Sequence, residues 1–170
     1  DPLREYERKF LVTDTAILKG SVGEEIRQGY LWAEAGFAMR VRIVRAQGED
    51  GAFYHSGANL TLKGPRVGLA RQEIEMPLEE AEAEALLSST SRIVIKERHQ
   101  PIVSEGRAWI VDVFHGLNDG LVVAEYEGSR QAVEQLKPPW WVGQEVTFDP
   151  AYANENLAVE QPGGFDHDRR

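Results

Sequence analysis

Residues 5–10 read "EYERKF". In an extended backbone successive side chains point to opposite faces, so Glu5, Glu7 and Lys9 share one face while Tyr6, Arg8 and Phe10 share the other. Two carboxylates and an ammonium therefore line up on one side of a strand. Whether that side is wet surface or the wall of a site decides the fold, and the answer lies in the strands that follow.

Strand-like stretches recur at 25–33, 38–46, 59–64, 70–78, 92–102, 108–116 and 121–128. Each is short, alternating or rich in Val and Ile, and most are bounded by Gly, Pro, Asn or Asp. Most repeat the pattern of the first. Arg40 and Arg42 share a face in "MRVRI", and Lys63 stands opposite Leu60 and Leu62 in "LTLKG". Arg71, Glu73 and Glu75 face one way in "ARQEIEM", as do Lys96 and Arg98 in "VIKERH". Asp112 shares a face with Ile110 and Phe114, and Glu125 aligns with Glu127 in "VAEYEG". The charged faces together hold seven acids and seven bases.

Helix signals are fewer. "LEEAEAEALLSS" (78–89) is rich in Glu, Ala and Leu, and "SRQAVEQLK" (129–137) opens on an N-capping Ser and stops at Pro138 and Pro139. A shorter helix is expected near 13–18, and "HGLND" before Gly120 reads as the turn of a hairpin. Trp140 and Trp141 read as packing anchors. The chain reads as one domain over residues 1–160, with 161–170 as a loose tail.

Composition narrows the function. At 42 % hydrophobic over 170 residues the chain can bury a core, and no apolar run approaches the roughly 20 residues of a membrane helix. The absence of cysteine removes disulfides, thiolate nucleophiles and Cys-type zinc sites, and fits a cytoplasmic protein. His55, His99, His115 and His167 form no metal-binding spacing. A net charge of −9 argues against nucleic acid or anionic membrane as partners, but not against a small anion held by a local cluster of Lys and Arg.

In an ordinary antiparallel sheet a charged face is simply solvated. Two features argue otherwise here. Solvated strand faces usually mix Thr, Ser and Gln with charge, whereas these repeat acid-x-acid or base-x-base pairs. The helices also need an apolar surface to pack on, and only the opposite faces supply one. Both are met by a mainly β (α+β) fold: eight antiparallel strands closed into a barrel, helices outside, charges lining a lumen wide enough for one small ligand. Arg and Lys from several strands suit a chain of phosphates, and Glu-x-Glu pairs offer hard oxygen ligands to Mg²⁺ or Mn²⁺. Acids for a metal and bases for an oligophosphate in one cavity describe metal-assisted phosphoryl transfer, without the P-loop that usually holds nucleotides.

The same residues resemble the Glu-x-Glu-x-Lys signature of the CYTH-domain, or triphosphate tunnel metalloenzyme, family. The likeness runs in order through "QGYL", "RVRI", "LTLKG", "RQEIEMPL", "VIKER", "WIVDVFHG", "GLVVAEYEG" and "WWVGQEVTFDPAYANENLA", roughly residues 5 to 158, and is nearest to short bacterial single-domain members. It implies an eight-stranded tunnel with "NENLA" plugging one end. It implies divalent metal on Glu5, Glu7, Glu125 and Glu127, with Asp112, Glu73 and Glu75 near a metal or the attacking water. Lys9, Arg40, Arg42, Lys63, Arg71, Lys96 and Arg98 would hold the triphosphate, and Glu7, Lys9, Lys63, Lys96, Glu75 and Asp112 would form the catalytic set. The implied activity is hydrolysis of inorganic tripolyphosphate to pyrophosphate and phosphate. The chain is expected to act as a monomer or homodimer, a dimer forming through an outer strand or helix face. The rivals are a class IV-type adenylate cyclase, a thiamine or nucleoside triphosphatase, and a non-catalytic polyphosphate- or nucleotide-binding module. Departures at 98–100, 116–118 and Phe148 leave the charged positions intact and bear on substrate preference.

Overall fold

The structure, a computed structural model, describes residues 3–160; the tail read at 161–170 lies outside them. The first strand, β1 (Arg4–Val12), leads through a short 3₁₀ turn at Thr15–Leu18 into β2 (Glu24–Glu34), β3 (Phe37–Gln47), β4 (Phe53–Lys63) and β5 (Ala70–Pro77). Helix α1 (Glu80–Leu87) follows, then β6 (Arg92–Ser104), β7 (Arg107–His115), β8 (Val122–Gly128) and helix α2 (Arg130–Glu134). The described residues end with β9 (Val142–Glu145), α3 (Asn154–Leu157) and β10 (Val159–Glu160).

Strands pair in the order β6-β2-β3-β4-β5-β1-β8-β7, and β7 pairs back onto β6. All pairings are antiparallel, so eight strands close into a barrel without free edges. Two strands the sequence did not signal are added outside the ring. β9 pairs the end of β1, and β10 pairs the start of β6.

The two parities separate as the residue types require. Outward faces carry the core. Val41, Ile43 and Ile93 pack under Ala83 and Leu87 of α1, while Phe10, Trp109, Val111 and Ala124 pack with Leu136 and Trp141. Trp141 is buried as expected, against Trp109 in the cluster with Phe10; Trp140 is exposed instead. Inward faces are charged at one level and apolar at another. There Val94, Phe114 and Val123 meet Ala158, with Leu157 packed against them, so α3 closes one end of the lumen.

Gly29 of β2 sets how closely α1 approaches. A Cβ there would stand 2.7 Å from Thr90 Cγ2 and 2.8 Å from Leu87 Cδ1. Leu87 is buried, and Thr90 is locked by donating to the Tyr30 carbonyl and accepting from Arg92 N. Gly29→Ala is therefore expected to cost about 1–3 kcal/mol, measured by denaturant unfolding. No helix of the described residues is long and apolar enough to cross a membrane.

Candidate active site

The inward charges line one cavity of about 740 Å³. β1 supplies Glu5, Glu7 and Lys9; β3 Arg40 and Arg42; β4 Lys63; β5 Arg71, Glu73 and Glu75; β6 Lys96 and Arg98; β8 Glu125 and Glu127. Thirteen of the fourteen charged positions thus meet in one space. Cross-strand register brings them together, pairing Glu7 with Glu127, Lys9 with Glu125, and Lys63 with Glu73.

Asp112 is the exception. It faces inward but lies beneath Lys96 and Arg98, 2 % exposed, and its oxygens accept from Arg98 Nε and Nη2 at 2.8 Å each and from Lys96 Nζ at 2.8 Å. Those cations hold Asp112 well below the carboxylate range against the opposing effect of burial. Its geometry is that of an anchor for two bases, not of a group facing metal or water.

Acids and bases pair across the lumen wall, Lys9 with Glu125, Lys63 with Glu73 and Arg40 with Glu75, yet three of the acids also converge. Carboxylate oxygens of Glu7, Glu125 and Glu127 lie within 4.8 Å of one another. Burial first, then Glu125 and Glu7, pushes Glu127 up to about 7, the response of a carboxylate crowded by its own sign. Burial works against the Glu125 carboxylate, but Lys9 at 3.3 Å together with Arg98 and Lys96 keeps that carboxyl low. Three hard oxygen donors with an excess of negative charge fit a divalent cation such as Mg²⁺ or Mn²⁺. Glu5 lies outside this trio, beside Glu73; burial and that neighbour push it up to about 7. Glu73 itself takes Lys63 Nζ at 2.5 Å.

The bases have the complementary excess. Burial, with Arg40 and Arg98 nearby, pulls Arg42 down to about 9. Burial presses Lys96 well below its usual value despite Asp112, with Arg98 and Arg42 adding to the effect. Arg40 Nε is buried with no hydrogen-bond partner among the described residues. Such a cluster is relieved by an anion with several oxygens.

Sequence reading missed several neighbours. Gln28 of β2 accepts from Arg42 Nε at 3.1 Å and donates to Tyr30 Oη at 3.0 Å. Asn154 of α3 accepts from both Lys96 Nζ at 3.1 Å and Gln28 Nε2 at 3.2 Å. Glu155 pairs with Arg71 at 3.0 Å, and Arg66, from the β4–β5 loop, pairs with Glu7. The alternation of Gln28 with Tyr30 was a usable signal, but it is uncharged; a loop arginine has no parity to read.

A closed barrel whose lumen carries a carboxylate cluster beside buried bases defines the class to which this fold and site belong. The CYTH domain model matches residues 3–134, and the chain belongs to that family. It is 37 % identical over 161 residues to an inorganic triphosphatase of Acetivibrio thermocellus, covering 94 % of this chain and 95 % of that protein. An inorganic triphosphatase of Nitrosomonas europaea is 35 % identical over 163 residues, covering 94 % and 100 %. The crystal structure of the inorganic triphosphatase NE1496 superposes with a TM-score of 0.63 at 32 % identity, covering 94 % of this chain and 97 % of that one.

Proposed function

We propose that this protein hydrolyses inorganic tripolyphosphate to pyrophosphate and phosphate, with Mg²⁺ or Mn²⁺ held by Glu7, Glu125 and Glu127. The observation that carries this reading is the convergence of three carboxylates in the same cavity that Arg40, Arg42, Lys96 and Arg98 line. The names of the relatives support it, and so does the family's metal dependence.

Arg40, Arg42, Lys96 and Arg98 bind the phosphate chain, Arg as forked donors and Lys as a point charge. Asp112, Gln28 and Asn154 hold these bases in place, so little reorganisation is needed as charge builds on the leaving pyrophosphate. Lys9 and Lys63, tied to Glu125 and Glu73, neutralise phosphate oxygens near those carboxylates. Glu75, which accepts from Thr61 Oγ1 at 3.2 Å and stands 3.6 Å from Arg40, keeps that guanidinium aimed inward. A divalent ion on the carboxylate trio supplies Lewis-acid polarisation of the phosphoryl oxygens.

Phosphate release from tripolyphosphate, ATP and thiamine triphosphate, each with Mg²⁺, Mn²⁺ or EDTA, tests the reading. Tripolyphosphate is expected to turn over fastest, and EDTA to abolish release. Metal-independent release, or none from tripolyphosphate, would contradict it.

A further inference from the structure

Arg66 belongs to no strand. It sits in the loop between β4 and β5, yet its side chain reaches the cavity and places Nη2 2.5 Å from Glu7 Oε1. That oxygen belongs to one of the three carboxylates clustered for a cation. A guanidinium and a divalent ion compete for the same negative charge.

A second observation concerns the other end of the fork. Arg66 Nη1 is buried and has no hydrogen-bond partner among the described residues. A buried donor left unmade costs about 1–3 kcal/mol, so such atoms are uncommon unless something else completes them. Here the donor belongs to a cavity-lining residue, where phosphate oxygens are the natural complement. The loop backbone is pinned on both sides: Gly64 N donates to Gln72 O at 2.9 Å, Val67 and Ala70 exchange backbone bonds of 2.8 and 3.1 Å, and Glu7 N donates to Leu69 O at 3.2 Å. Any change of partner is therefore made by the Arg66 side chain.

We propose that Arg66 is an exchange residue: in the ligand-free protein it neutralises Glu7, and when a divalent cation takes that carboxylate the guanidinium passes to a phosphate oxygen of the substrate. The identity of the anion rests on the triphosphatase reading; the competition with metal does not. The consequence is reciprocal coupling. Metal alone must displace Arg66, and phosphate alone finds Arg66 engaged, so each favours the other.

Calorimetric titration of Mn²⁺ into the phosphate-free protein tests the first half. Arg66→Gln is expected to bind Mn²⁺ about tenfold more tightly than the unaltered chain, within the usual range of coupling between sites. Arg66→Lys keeps the charge and is expected to bind Mn²⁺ as the unaltered chain does. For Arg66→Gln at saturating Mn²⁺, the KM for tripolyphosphate is expected to rise about tenfold. A purely structural arginine predicts equal or weaker Mn²⁺ binding by the glutamine variant, and that result would overturn the competition. Tightening in the lysine variant equal to that in the glutamine variant would do the same. Tighter Mn²⁺ binding with unchanged KM would overturn the transfer to phosphate. Absence of turnover in the unaltered chain would sink the triphosphatase reading and leave the Mn²⁺ comparison to judge the competition.

Discussion

Glu127→Gln is expected to lower kcat for tripolyphosphate by about a thousandfold, since Lewis-acid stabilisation supplies several kcal/mol and each 1.4 kcal/mol is tenfold. The same change is expected to stabilise the metal-free protein above neutral pH. In the folded chain the Glu127 carboxyl titrates at about 7 against an ordinary 4.5, so the fold holds a proton that the unfolded chain releases. Its contribution to stability is complete below pH 4.5 and lost as pH rises through 7. Beyond that, three carboxylates repel one another within 4.8 Å. Glutamine removes one of the charges, so the melting temperature without metal rises at pH 8 and changes little at pH 4.5. A residue needed only for folding would move activity and stability in the same direction. Paired kinetic and thermal measurements with this variant separate the cases, and turnover close to that of the unaltered chain would remove Glu127 from the metal site.

Asp112→Asn is expected to act in the opposite sense on stability. Asp112 is the shared counter-ion of Lys96 and Arg98, and its loss leaves two buried cations facing a neutral amide. Breaking a buried pair from one side costs about 3–5 kcal/mol, which for a chain of this size lowers the melting temperature by about 10 °C. The pH dependence has a definite sign. Asp112 is depressed in the fold from an ordinary 3.8, so its stabilisation is present above that value and is lost as pH falls below it. Denaturant melts at several pH values should show the gap between variant and unaltered chain widest near neutrality and closing in acid. A gap that stays constant with pH would mean that packing, not charge, is what Asp112 contributes.

The fold was legible because the charge pattern carried it. Two-residue alternation in "EYERKF", "RVRI" and "VAEYEG" fixes which side chains share a face, and the helices had only the apolar faces to cover. Boundaries were less legible: β4 begins at Phe53, well before the expected 59, because "FYHSGAN" pairs with the end of β3 although Gly57 interrupts its alternation. β9 and β10 are short and gain their order from pairing with distant strands, which no local signal reports.

In the site, strand parity found the cavity charges but not their partners. It could group Glu5 with Glu7, yet only the register across β1, β5 and β8 sends Glu7 to Glu125 and Glu127 and leaves Glu5 beside Glu73. It likewise put Asp112 on the inward face without revealing that two longer side chains cover it. Arg66, Asn154 and Glu155 come from loop and short helix, where side-chain direction depends on tertiary structure.

The most direct test is anomalous diffraction from crystals soaked in Mn²⁺ and pyrophosphate. The expected result is a Mn²⁺ peak bridging Glu7, Glu125 and Glu127, with phosphate against Arg40, Arg42, Lys96 and Arg98. A Mn²⁺ peak elsewhere in the lumen, or pyrophosphate bound away from those bases, would contradict the assignment of the two-sign cavity as the active site.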